Sequence, residues 1–214
     1  MANLTILRTY AQKDPSRISE SILFRHDEAT ITIFDAYPKS IFHFLVLPRV
    51  DASGPFTVTD LANLHSVIYK NKEDARKLIQ KLKDASEALK VDIEAEMINR
   101  YGFKWDIWTG FHGSPSMVHL HLHVLSADMC SERMKNKKHY NSFHPELGFF
   151  LDIDTVLSWF DETSLPILPS PSYEKLLKTP LSCFHCGKET SNIPTLKRHL
   201  QEEWDMKATR EKPK

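Results

Sequence analysis

His119-Leu120-His121-Leu122-His123-Val124-Leu125 alternates imidazole with aliphatic side chains at a period of two. On an extended strand successive side chains point to opposite faces, so the stretch predicts His119, His121 and His123 on one surface, with Leu120, Leu122 and Val124 buried on the other. Three imidazoles so placed admit three readings. They are ligands of a catalytic zinc, or one nucleophilic imidazole with partners that orient it and contact a phosphate, or partly buried polar histidines without chemistry. Just upstream, Phe111-His112-Gly113-Ser114-Pro115-Ser116-Met117 adds a glycine, two hydroxyls and a further histidine. Backbone N–H groups and hydroxyls on such a loop can hold an anion, which favours phosphate chemistry, whereas a zinc hydrolase more often shows a carboxylate near its ligands.

The flanking segments predict a sheet and a covering helix layer. Residues 21–25 and 30–35 are short β-branched and aromatic runs separated by His26-Asp27-Glu28, a hairpin pattern, and residues 41–47 (IFHFLVL) form a third strand stopped by Pro48. From Thr59-Asp60, which can cap a helix, to Arg100 there is neither Gly nor Pro. Within it Leu61, Leu64 and Ile68, then Ala75, Leu78, Ile79, Leu82, Ala85 and Leu89, recur at helical spacing, which predicts one long helix or two. Residues 104–111 and 118–126 read as two further strands. Strands, helix, then strands is the order of an α+β domain built on an antiparallel β-sheet with covering helices.

Composition narrows the class. The 214 residues carry 28 Lys+Arg against 28 Asp+Glu, and 41% are hydrophobic, as in ordinary globular proteins. No apolar run approaches the roughly 20 residues of a membrane span, so no membrane partner is expected. MANLTILRTYAQKD at the start shows no apolar signal core and no small-residue cleavage site, so a reducing compartment is expected rather than secretion. Neutrality hides an uneven distribution. Residues 141–174 contain no Lys or Arg, while Arg133, Lys135, Lys137 and Lys138 crowd before them and Lys197, Arg198, Lys207, Arg210, Lys212 and Lys214 follow. Each patch is either a solvated face or a surface for an anionic partner.

Near the C-terminus stands Cys183-x2-Cys186-x12-His199-x3-Glu203. The first three members keep the spacing of a zinc finger, in which a knuckle offers two thiolates and a helix the remaining ligands. Glu203, at i+4 from His199, faces the same metal and is an acceptable zinc ligand, with His185 in the knuckle as its rival. The expected cofactor is one structural Zn2+ per chain. A unit this small would hardly fold without its metal. Three prolines in residues 165–172 (LPILPSPS) predict a break before the finger. The expected division is a catalytic domain over 1–164, a Pro-rich linker over 165–174, and a finger with a basic tail over 175–214.

At residues 119–125 the chain resembles the histidine-triad nucleotide hydrolases and transferases, whose signature alternates three histidines with apolar residues. Tyr37-Pro38-Lys39-Ser40 leading to His43-Phe44-Leu45-Val46-Leu47-Pro48, then Gly110-Phe111-His112, Pro115-Ser116-Met117 and the run over 134–143 (MKNKKHYNSF), narrow the resemblance to the aprataxin family. It covers nearly the whole chain, in the short fungal type without a forkhead-associated domain. What the resemblance implies is a DNA repair hydrolase that removes AMP from 5′-adenylated DNA ends through an adenylated histidine, without a catalytic metal. It implies His121 as nucleophile and His119 as the group orienting it. His123, His112 and Ser116 would contact phosphate oxygens, and Lys138 would offset charge in the transition state. It further implies Asp35 at the ribose hydroxyls, with Lys39, His43 and Met117 beside the nucleotide. The implied partners are DNA, as adenylated nicks, ends or RNA–DNA junctions, and the product AMP, for a monomer in the nucleus and also the cytoplasm. DNA would meet Lys39, Arg133, Lys135, Lys137, Lys197 and Arg198. Many family members carry His where this chain has Glu203.

Several of these positions also have plainer readings. Asp35 can cap the turn at Tyr37-Pro38, Lys39 can be solvated, and His43 can be a hydrogen-bonded core histidine. The rival function is hydrolysis of small nucleotides such as dinucleoside polyphosphates, which requires neither the finger nor the basic stretches.

Overall fold

A computed structural model describes residues 3–170 and 172–211. Pro171 of the expected linker and Lys212 and Lys214 of the basic tail lie outside the described residues. The elements run α1 (Ile6–Gln12), β1 (Leu23–His26), β2 (Thr30–Phe34), β3 (His43–Pro48), α2 (Leu64–Lys70), α3 (Lys72–Tyr101), β4 (Ile107–His112) and β5 (Leu122–Ser126). They continue with α4 (Lys137–Asn141), β6 (Phe150–Asp152), α5 (Ile153–Ser158), α6 (Tyr173–Leu176), β7 (Leu181–Ser182), β8 (Glu189–Thr190) and α7 (Ile193–Glu211). Among the described residues no helix is long and apolar enough to cross a membrane.

Six strands form one antiparallel sheet in the order β1-β2-β3-β5-β4-β6, as the α+β reading expects, with β6 an addition that its three residues were too few to announce. The helical stretch is two helices. Asn71 interrupts it with an extended φ of −156°, and its side chain accepts from Asp74 N, so an Asn cap does what a Gly or Pro break would do. Asn63 caps α2 in the same way, through Ser66 N, in place of the expected Thr59-Asp60. α3 buries Ala75, Ile79, Leu82, Ser86, Leu89, Ile93 and Met97, one face at steps of three and four residues. It ends at Gly102, whose φ of 79° is the left-handed conformation a C-cap requires.

The two faces of the sheet have different cover. α2, α3 and α5 pack on Phe44, Val46, Leu122 and Val124. On the opposite face α1 covers Ile31, Ile33, Leu45 and Leu47. Beside that cluster Leu125, Phe150, Tyr140 and Phe143 share a core with Leu181, Cys183, Ile193, Leu196 and Leu200 of the C-terminal unit. The histidine-bearing positions of β3 and β5 fall between these two clusters, because His43 shares a face with Leu45, and Leu45 pairs across the ladder with His123.

Two further contacts hold the C-terminal unit and the proline-rich segment before it against the rest. Trp204 of α7 packs against Tyr101, Phe103 and Trp105 with ring centroids 5.3–5.5 Å apart. Leu168 and Tyr173, from the proline-rich region, are buried in the same core as α3. A Cβ on Gly113 would lie 2.3 Å from the Tyr173 ring, so only glycine permits this close approach.

Candidate active site and metal centre

Alternation along a strand explains only part of the histidine cluster. β5 begins at Leu122, because the amides of His119 and Leu120 pair with the carbonyls of Ala62 and Leu61 (3.0 and 2.7 Å) rather than with the β3 ladder. His119 takes φ 105°, a conformation that costs a residue with a Cβ about 1–3 kcal/mol and marks a position held by its surroundings. Its imidazole turns to Pro48, with Nε2–H donating to the carbonyl at 2.8 Å, while its own carbonyl accepts from His121 Nδ1 at 2.7 Å. The expected row of three rings is thus a pair, His121 and His123, with ring centroids 5.0 Å apart, and His119 meets His121 through its backbone.

These bonds fix tautomers. A carbonyl only accepts, so His121 carries its proton on Nδ1 and its Nε2 lone pair is free. His43 Nδ1 accepts from Lys39 N at 3.1 Å, which places the His43 proton on Nε2, facing His123 Nδ1 at 3.1 Å. His123 is left with its proton on Nε2, a buried donor without a partner among the described residues. His112 Nε2 is a second orphaned buried atom. The His112 and His123 ring centroids lie 4.4 Å apart, so their unpartnered nitrogens share one place that fits a ligand's polar atoms or a water.

Burial keeps the rings neutral. It pushes His43 and His119 down to about 4, and holds His112, His121 and His123 below the ordinary histidine value, with neighbouring rings and Lys39 adding to the effect at His112 and His123. Phe143 forms a wall behind His112, His123 and His43 at centroid distances of 4.5, 5.0 and 5.3 Å. Sequence reasoning gave Phe143 no role, although it closes the 134–143 run.

The loop from β2 to β3 supplies the other polar groups. Asp35 Oδ1 accepts from Tyr37 N at 2.6 Å, and Oδ2 lies 3.5 Å from His43 Nε2, so this carboxylate caps its turn and also faces the cluster. Lys39 is held below the usual lysine range by burial, an effect Asp35 offsets, and its charge is felt at His43, His112 and His123. Lys138 is exposed on the first turn of α4, Ser116 is exposed, and Met117 packs with the α1 cluster. Arg133, Lys135 and Arg198 are exposed and Lys137 and Lys197 half-buried. Arg133 lies over the Tyr37 ring at 5.8 Å, beside Lys39.

Asp128, which sequence reasoning passed over, is buried. Burial raises its pKa, and it accepts from Ile41 N (2.9 Å), Trp105 Nε1 (3.2 Å) and the Ser126 hydroxyl. It thereby ties the Asp35–Lys39 loop to the Trp105–Trp204 contact.

In the C-terminal unit, Cys183, Cys186 and His199 bring their ligand atoms within 4.8 Å of one another. Cys186 Sγ lies 3.2 Å from His199 Nε2, and Glu203 Oε1 lies 3.5 Å from the same nitrogen. A tetrahedral zinc with bonds of about 2.0–2.3 Å spaces its ligand atoms by about 3.3–3.8 Å, so the donor set fits that metal. Glu203 stands outside the tightest group of three, and the exposed His185 packs on the Phe184 ring at 4.1 Å. Asp35, His43 and His123 also converge within 4.8 Å, but there the two imidazole nitrogens face one another in a hydrogen bond.

Two family models match this chain. That of the scavenger mRNA decapping enzyme C-terminal region matches residues 8–139, more than half of the chain, and that of the C2HE / C2H2 / C2HC zinc-binding finger matches residues 146–206. An aprataxin-like protein of Saccharomyces cerevisiae is 31% identical over 205 residues, covering 89% of this chain and 91% of that protein. Aprataxin of Gallus gallus is 35% identical over 183 residues, which are 83% of this chain and 49% of that protein, so the chain spans about half the length of the first curated relatives it matches. The solved structure of Hnt3 in complex with DNA and guanosine superposes with a TM-score of 0.72 at 30% identity, covering 96% of this chain and 97% of that one. A matching fold, a histidine cluster and a finger donor set coincide with relatives that share nearly the full chain, and the protein belongs to the aprataxin family, with a zinc finger at its C-terminus.

Proposed function

We propose that this chain is a DNA repair hydrolase that removes AMP from 5′-adenylated DNA, and the observation that carries the reading is the tautomer of His121. Its Nδ1–H is held by the His119 carbonyl, so a neutral Nε2 lone pair is available to attack the α-phosphorus. The bond to the DNA 5′-phosphate breaks and that phosphate leaves with the electron pair. Its second pKa is about 6, so it departs without a strong general acid. The ring becomes cationic in the phosphoramidate, and the bond to the His119 carbonyl stabilises it. Water then attacks phosphorus, its proton passes to the departing imidazole, and AMP is released.

His123 Nε2–H, orphaned in the protein alone, would donate to a phosphate oxygen, with His112 and Ser116 beside it and Lys39 and Lys138 supplying positive charge. Asp35 would take the ribose hydroxyls, and Met117 and His43 would border the nucleotide. DNA would lie across Lys39, Arg133, Lys135, Lys137, Lys197 and Arg198, a reading supported by the DNA complex of Hnt3. Catalysis by this route calls for no metal, because the imidazole nucleophile and the donors around the phosphate supply the chemistry. We infer one structural zinc on Cys183, Cys186, His199 and Glu203. Residues 1–164 would act as the catalytic unit and 175–214 as the finger, in a nuclear monomer.

The test compares turnover of 5′-adenylated nicked DNA with that of a dinucleoside polyphosphate. Preference for the adenylated DNA, and AMP trapped on His121 by acid quenching and seen by mass spectrometry, are the expected results. Preference for the small nucleotide would refute the DNA substrate, and absence of an adenylated peptide would point to direct attack by water.

A further inference from the structure

Tyr140 is fully buried on α4, yet no step of the proposed reaction uses its hydroxyl. That hydroxyl donates to the Ser182 carbonyl at 2.8 Å and accepts from Phe184 N at 3.1 Å. The two bonds bracket Cys183, the buried thiol of the finger. Next to it Asn141, also fully buried, directs Nδ2 at the carbonyls of Thr179, Leu177 and Leu176 (2.9, 3.3 and 3.4 Å), on the segment that leads into the knuckle. At its other end α4 turns directly into the wall of the histidine cluster, with Phe143 N donating to the Tyr140 carbonyl at 3.0 Å. The five-residue helix therefore touches the metal knuckle, and Phe143, two residues beyond its end, touches the rings of His112 and His123.

We propose that Tyr140 is a positioning residue that ties Cys183 of the finger to the Phe143 wall of the active site, so that the metal-loaded knuckle holds His112 and His123 in place. The physical reason is that the knuckle has little backbone pairing of its own and takes its place from what packs on Leu181, Cys183 and Phe184. Its hairpin pairs two residues with two, and in such units the free energy of metal binding is the free energy of folding. When Ser182 and Phe184 lose their fixed places, the buried phenol is left without partners, which is costly, and α4 must adjust. Linkage makes the effect reciprocal: if zinc favours the tied helix, the tied helix favours zinc. The consequence for turnover rests on the proposed reaction, whereas the tie itself does not.

The experiment uses the full zinc-loaded chain and reads two quantities besides activity: the rate of zinc release to a chromogenic chelator, and the ring 15N signals of His112 and His123. Tyr140→Phe should release zinc about tenfold faster, the scale set by losing two buried hydrogen bonds. It should also move both ring signals with zinc still bound, and lower kcat on 5′-adenylated DNA with little change in KM. Tyr69→Phe removes a hydroxyl bonded to Pro166 O at 3.0 Å, away from the knuckle, and should release zinc like wild type. Chelating the wild type should move the same two ring signals while amides of β2 and β3 keep theirs, which tests the tie even if the variant does not fold. Zinc release from Tyr140→Phe at the wild-type rate would overturn the proposal. So would ring signals unmoved by chelation, or a general loss of the sheet signals. A wild type that keeps the tie but does not deadenylate DNA would sink the reaction and leave the tie standing.

Discussion

The histidine cluster is held by the sheet, through the antiparallel ladder that sets Leu45 opposite His123 and His43 opposite Leu125, and through backbone bonds that bend the chain at His119. The finger has a two-residue hairpin, one helix and a core of Leu181, Ile193, Leu196 and Leu200. The ladder of the first site is therefore formed before substrate arrives, with the unpartnered Nε2 atoms of His112 and His123 as the mark of it. The second depends on a metal and on the surface it is docked to. Away from the Tyr140 tie, substitutions should therefore divide between the regions, those in the cluster changing rate and acid stability and those in the finger changing metal affinity.

The sharpest way to break this division is His121→Ala. Deadenylation should fall by at least about 10³-fold, because the covalent step is removed, while zinc content and DNA affinity stay at wild-type levels. A loss of zinc in this variant would show that the two sites are not separable. Acid comes next in size. The folded values of His43 and His119 lie near 4, below the ordinary 6.5, so the unfolded chain binds more protons as pH falls. Their stabilising contribution is complete above pH 6.5 and is lost as pH drops from there towards 4, by about 3 kcal/mol each at the lower end. Thermal unfolding across this window, with ring signals that titrate near pH 4, is the measurement. Midpoints that do not fall between pH 6.5 and 4 would mean that the rings are already charged.

Gly113→Ala probes the contact between the histidine-bearing domain and the linker that leads to the finger. The new Cβ would collide with the Tyr173 ring and should cost about 1–3 kcal/mol of stability, read as a lower unfolding midpoint. Adding Tyr173→Leu should restore part of the loss if the clash is its cause. The smallest effect is expected from Glu203→Gln, which replaces a charged ligand oxygen with a neutral one and should weaken zinc by about tenfold in a competition titration. Unchanged affinity would pass the fourth position to His185 or to water.

Much of the catalytic region was legible because its periodicities are strong. Ile31 and Ile33, Leu45 and Leu47, and the Ala75–Leu82–Leu89 face of α3 appear where alternation and helical spacing place them. The break at Asn71 was allowed for but not placed, because neither Gly nor Pro marks it and an Asn inside a helical run announces nothing by itself. His119 was misplaced because nothing in an alternating pattern says where a strand begins. Its amide found a carbonyl on the 61–62 turn, a partner more than fifty residues away in the chain. Phe143, Tyr140 and Asp128 were invisible as site residues because each acts through something brought to it by folding.

By itself the sequence determined the residue types and the local order: alternating imidazoles, an amphipathic helix, and two cysteines at knuckle spacing with His199 on a helix. Those follow from periods of two and 3.6 and from the short reach of a metal site, which are properties of neighbours along the chain. Only the tertiary structure decided which nitrogen of each ring carries a proton, since that depends on the Pro48 carbonyl, the His119 carbonyl and the Lys39 amide. It also decided that the finger is seated on α4 and on the Trp105 cluster, because the partners of Tyr140 and Trp204 lie tens of residues away and are specified by packing rather than by spacing.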